Sequence, residues 1–96
     1  MTEDSMVTVR YFAAAKAATG VVSERIDLEH VDGGATRGGV ENHLISLHPE
    51  APTGERPLAE VLARSSFLLD GQSCPTPDTP IHGNATLDVL PPFAGG

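Results

Sequence analysis

The chain has 96 residues and a formal net charge of −7, with one cysteine, one tyrosine, three phenylalanines and no tryptophan. That length makes a single domain with a modest core, which Val, Leu, Ile and Ala must fill. An acidic chain is short of the Lys and Arg that neutralise phosphates, which argues against nucleic acid and fits either plain solubility or a partner with a basic face.

Cys74 is the lone cysteine, so neither an internal disulfide nor a cysteine-based metal cluster can form. This fits a reducing, cytoplasmic compartment. The opening MTEDSM is polar and acidic and does not read as a signal peptide. No apolar run approaches the roughly 18 residues that span a bilayer, so no membrane role is expected. Residues 1–5 read as a disordered tail before an ordered domain over 6–90.

In chain order, MVTVRYF (6–12) alternates, with Val7, Val9 and Tyr11 on one face and Thr8, Arg10 and Phe12 on the other. That is the period of a strand with one buried side. AAAKAATG (13–20) predicts a short helical turn stopped by Gly20. VVSERIDLE (21–29) reads as a second strand, antiparallel to the first because the connection is short. Its wet side carries Arg25, Asp27 and Glu29, and its dry side Ile26 and Leu28. After a loop over 30–39, Val40, Leu44 and Leu47 fall at helical spacing, with Ile45 beside them. Thr36 is placed to be the N-cap. Gly38 and Gly39 each weaken that first turn by about 1 kcal/mol relative to Ala. Pro49 marks its end, and 49–57 is loop.

Leu58, Val61 and Leu62 predict a short second helix over 58–65. Residues 66–74 read as a strand entering an Asp70-Gly71 turn. The proline-rich 75–84 is loop. Residues 85–91 form a last strand, with Leu87 and Val89 on one face and Leu90 on the other. The order predicts an α+β domain, a mixed sheet with one main helix packed on one face, its crossover right-handed.

Side-chain chemistry is sparse. GGATRGG has Gly33 and Gly38 at phosphate-loop spacing, but Gly39-Val40 stands where Lys and Ser or Thr should follow. His43 and His48 are five apart, off the helical spacing for two metal ligands. The histidines read as solvated. Cys74 lacks a reactive signature, and Ser65, Ser66 and Ser73 lack a nucleophile-elbow context. Glu24, Asp27 and Glu29 read as a solvated strand edge. No catalytic constellation emerges, and no metal site.

The chain ends LDVLPPFAGG. Gly95 and Gly96 are either a frayed end or the working group. Glycines lack Cβ atoms, so such a tip passes a narrow channel and lies close to a nucleotide. Pro91 and Pro92 stiffen the base of the tail and reduce the entropy lost on threading. Extended, residues 91–96 reach roughly 20 Å.

VTVRYFAAAKAATG and DVLPPFAGG together resemble the small subunit of molybdopterin synthase, a family of ubiquitin-like sulfur carriers. The resemblance covers 6–96 and is densest at the two ends. It implies a β-grasp, ubiquitin-like fold and a carrier, not an enzyme. An ATP-dependent activating enzyme would adenylate the Gly96 carboxylate, using ATP in trans, and a sulfur donor would displace AMP to leave a thiocarboxylate. The tail would then enter the synthase large subunit, which supplies the catalytic groups. The resemblance also implies partner contacts at Phe12 and Leu90, extended along the tail to Pro91, Pro92, Phe93, Ala94 and Gly95. The alternation independently puts Phe12 and Leu90 on one face, although Phe12 has the alternative of packing under the Ala-rich turn. Two features depart from the family: Gly83-Asn84 before the last strand, and the glycine-rich helix start. The sulfur destination stays open between molybdopterin, cysteine and thiamine pathways. A protein modifier and an inert binding module are the other readings.

Overall fold

The computed structural model describes residues 5–92. Eight main elements follow in order: β1 (Met6–Tyr11), α1 (Ala14–Thr19), β2 (Ser23–Asp27), α2 (Arg37–Leu47), α3 (Leu58–Ala63), β3 (Ser66–Leu69), β4 (Gln72–Ser73) and β5 (Thr86–Leu90). The strands form one mixed sheet in the order β2-β1-β5-β3-β4. β1 pairs antiparallel with β2 and parallel with β5, and β3 is antiparallel to both β5 and β4.

The alternation in β1 and β5 sends Val7, Val9, Tyr11, Leu87 and Val89 inward, each at most 1 % exposed. Ala15 and Ala18 of α1, Val40 and Leu44 of α2, and Leu58, Val61 and Leu62 of α3 close over them. No helix among the described residues is long and apolar enough to cross a membrane.

Local chemistry accounts for the element ends. Gly20 stops α1 in the left-handed conformation, its N–H donating to the Lys16 carbonyl. β2 ends two residues earlier than the apolar pattern implies. The Asp27 side chain accepts from the Glu29 N–H, which turns Leu28–His30 into a 3-10 turn. Ser5, assigned by sequence to the tail, donates to the same Asp27 carboxylate. These two hydrogen bonds, the backbone one first, hold Asp27 below the usual carboxylate range. Asp70-Gly71 makes the tight turn with both φ angles positive, and the chain beyond it returns as the two-residue strand β4. Asn84 sits at φ 65°, so it takes the left-handed turn before β5.

The glycine-rich start of α2 has a packing reason. Thr36 caps the helix by accepting from the Gly39 N–H at 3.0 Å. A Cβ on Gly39 would stand 2.1 Å from the Gly34 carbonyl oxygen. The Gly38 N–H donates to Pro77 O at 2.7 Å. Backbone from two loops therefore lies against this turn, and the lost helix propensity is exchanged for close approach. Arg37 fastens the same end, bonded to Glu41 and the Cys74 carbonyl while stacked 4.4 Å from the Phe67 ring centroid.

Two side chains expected to be solvated are not. Glu24 points inward from β2 and accepts from the Tyr11 hydroxyl, while His48 Nε2 lies 2.7 Å from the same carboxylate. The His48 ring also meets Tyr11 edge-to-face, 6.1 Å between centroids. This ties the C-terminal end of α2 to β1 and β2. Burial first, then the Glu24 bond, pushes the Tyr11 pKa well above its ordinary 10.

Two measurements check these assignments. Gly39→Ala should cost about 2–3 kcal/mol in urea unfolding, because overpacking against backbone cannot relax. Above pH about 10 the unfolded chain loses the Tyr11 proton while the folded chain keeps it, so stability falls as pH rises. Comparing urea unfolding of Tyr11→Phe and the unaltered chain between pH about 9 and 11 should show the variant lacking up to about 1.4 kcal/mol per pH unit of that loss.

Candidate docking face and tail

The outward residues of the two central strands make the candidate site. β1 presents Thr8, Arg10 and, just past its end, Phe12; β5 presents Asp88 and Leu90. Arg10 lies opposite Asp88 in the parallel register, and Tyr11 opposite Val89. Phe12 and Leu90 follow one residue later on their respective strands. β3 adds Leu68 opposite Asp88 and Ser66 opposite Leu90.

Phe12 is 41 % exposed. Its carbonyl, not its ring, serves the helix, accepting from the Ala15 and Lys16 N–H groups. Ala13 turns the chain at φ 50° and ψ −123°, a conformation L residues rarely adopt and one that costs on the order of 1–3 kcal/mol. That bend carries α1 inward and leaves Phe12 outside. Leu90 is half-buried, Pro91 half-buried and Pro92 exposed. Phe93, Ala94, Gly95 and Gly96 lie outside the described residues.

Arg10 and Asp88 form a two-pronged pair at the middle of this face. Nε donates to Oδ1 at 2.6 Å and Nη2 to Oδ2 at 2.8 Å. Asp88 is 6 % exposed, so the partner cation is what makes its burial tolerable. The hydrogen bond first, and then the opposite charge, raise the Arg10 pKa further above its already high value. The guanidinium also lies 5.8 Å from the Phe12 ring centroid. Sequence reading assigned neither residue a role. The matching offset of Arg10 from Phe12 and Asp88 from Leu90 was the available signal, legible only once the two strands are paired in register.

The remaining candidates do not assemble a reactive site. Cys74 is buried within the core cluster. The Ser65 hydroxyl donates to the Val61 carbonyl. A cleft of about 350 Å³ lies beside Arg37, Ser66, Ser73 and Pro75, but the Arg37 guanidinium is already committed. Among the described residues no group of three acidic, His or Cys side chains is placed to hold a metal ion.

Comparison with solved structures establishes the fold. Molybdopterin converting factor subunit 1, as assigned in Pyrococcus furiosus, superposes with a TM-score of 0.72 at 20 % identity, over 92 % of this chain and 98 % of that one. SAMP1 of Haloferax volcanii gives 0.68 at 22 % identity, over 95 % and 99 %. Subunit 1 in the complex of subunits 1 and 2 of the molybdopterin-converting factor of Helicobacter pylori gives 0.60 at 20 % identity, over 95 % and 99 %. The architecture is therefore the β-grasp, ubiquitin-like fold. A search of curated proteins found no match. The ThiS family profile matches residues 9–96, from the middle of β1 through the Gly-Gly tail, and the chain thus belongs to the ThiS family of small ubiquitin-like sulfur carriers.

Proposed function

We propose that this carrier is the small subunit of a molybdopterin synthase and that its reactive group is the carboxylate of Gly96. An activating enzyme uses ATP to convert that carboxylate into an acyl adenylate, releasing pyrophosphate. A sulfur donor then displaces AMP and leaves a thiocarboxylate. Glycine at the last two positions lets the adenylating site close around bare backbone. The charged tail next threads into the large subunit, where its sulfur passes to the pterin precursor. This chain contributes the sulfur and its alignment.

The observation that carries the reading is the exposed Phe12 beside Leu90 at the root of the Pro91-Pro92 segment. Apolar surface left open on the outer face of a sheet marks an interface. Its position makes a protein that grips this face the natural recipient of the tail. The Helicobacter pylori structure, a complex of subunits 1 and 2, supports a partner of the same kind. The likeness to SAMP1, a small archaeal modifier protein, favours a second reading in which the tail forms isopeptide bonds on other proteins. Cysteine and thiamine pathways remain the alternative sulfur destinations.

Intact mass after co-expression with an activating enzyme and a sulfur source separates carrier from modifier. A carrier gains one oxygen-for-sulfur exchange, whereas a modifier is found as conjugates. Deleting Gly96 should abolish loading and leave urea unfolding unchanged; loading that persists would remove Gly96 from the chemistry. Leu90→Asp should weaken binding to a synthase large subunit by about 2 kcal/mol or more while costing less than about 1 kcal/mol of stability. Undiminished binding would place the interface elsewhere.

A further inference from the structure

We propose that the outer face reads an acidic group on its partner, a carboxylate seated on the outward N–H groups of Arg10 beside Phe12, with Arg25 a second positive charge on the same face. The inference rests on the reading that a synthase large subunit covers this face.

Arg10 is held in place yet incompletely used. Its two bonds to Asp88 employ Nε–H and one hydrogen of Nη2. Nη1 and the second Nη2 hydrogen find no acceptor among the described residues. The side chain is 51 % exposed, and the Asp88 fork and the Phe12 ring fix its orientation. Such an arginine loses little freedom on binding, and arginines of this kind recur as interface hot spots.

Arg25 stands on the same face. It lies opposite Thr8 in the antiparallel register of β1 and β2, which makes it a cross-strand diagonal neighbour of Arg10, about 7–8 Å away between backbones, on the side opposite Phe12. Arg25 is exposed and has no ion-pair partner among the described residues. Asp27, the acid on the same face of β2, is taken by Ser5 and the Glu29 N–H. Two of the six basic residues of an acidic chain thus stand on one face, and of the two only Arg10 has an ion-pair partner among the described residues.

Phe12 is two residues beyond Arg10, about 7 Å along the strand. A specific interface covers about 800 Å² of each partner, so a protein seated on Phe12 and Leu90 also covers Arg10. An apolar cover would strip water from the outward N–H groups and return nothing. A carboxylate accepts them in the fork geometry that guanidinium favours, with Arg25 adding a second positive charge. The pair therefore selects among partners by rejecting apolar ones.

The test is isothermal titration of the full-length chain against the molybdopterin synthase large subunit encoded in the same genome, at low and high salt. The variants are Arg25→Glu and the double change Arg10→Leu with Asp88→Ala. The double change removes both members of the ion pair, so neither is left buried and unpaired, and thermal unfolding verifies that each variant folds. Both variants should bind at least about tenfold more weakly, and the unaltered chain should weaken as salt rises. Binding of the double variant as tight as, or tighter than, the unaltered chain would overturn the inference, as would indifference to Arg25→Glu. Failure of the pathway reading looks different: the unaltered chain itself would not bind, and the partner named here would fall with it.

Discussion

The parallel pairing of β1 with β5 joins the beginning of the chain to the root of its tail. Val9 opposite Leu87 and Tyr11 opposite Val89 face inward and fill the centre of the core. Because side chains alternate along a strand, the same register puts Arg10 opposite Asp88 on the other face and leaves Phe12 and Leu90 beside each other at the end. A slip of one residue would expose the valines and bury the ion pair. Core and candidate docking face are thus two sides of one constraint, and Pro91 and Pro92 leave the domain from its best-buried strand.

Polar groups fasten the elements around that centre. Glu24 accepts from Tyr11 and His48, so three elements meet on a single carboxylate. Arg37 fixes the opposite end of α2 to the segment around Cys74. No buried side-chain polar atom among the described residues lacks a partner, as a thin core requires when each orphaned group costs about 1–3 kcal/mol. Held at both ends, α2 packs at close quarters, and the glycines of its first turn serve that approach.

This construction suits a carrier. The domain need not reshape itself around a substrate; strand register alone fixes its outer face. The charged pair at the middle of that face is costly as a packing element, since apolar residues of similar volume serve stability as well. On the proposal above it serves recognition, because a fixed guanidinium with outward donors distinguishes partners that a plain apolar patch would accept alike.

Much of this was legible in the chain itself. The period of two in 6–12 and 85–91 sorted inward from outward residues, Thr36 and Gly20 marked helix ends, and Asp70-Gly71 marked its turn, because each depends on chemistry within a few residues. The Gly-Gly tail and the YFA segment pointed to the family. What required the tertiary structure was non-local. The glycines of α2 looked like weaknesses until backbone from residues 33, 34 and 77 was seen against them. Glu24 and His48 looked solvated because a separation of 24 positions hides their meeting. Net charge, a sum over the chain, could not say that Arg10 and Arg25 share one face. Proximity across 78 residues, as between Arg10 and Asp88, is set by strand register, and register exists only once the sheet has closed.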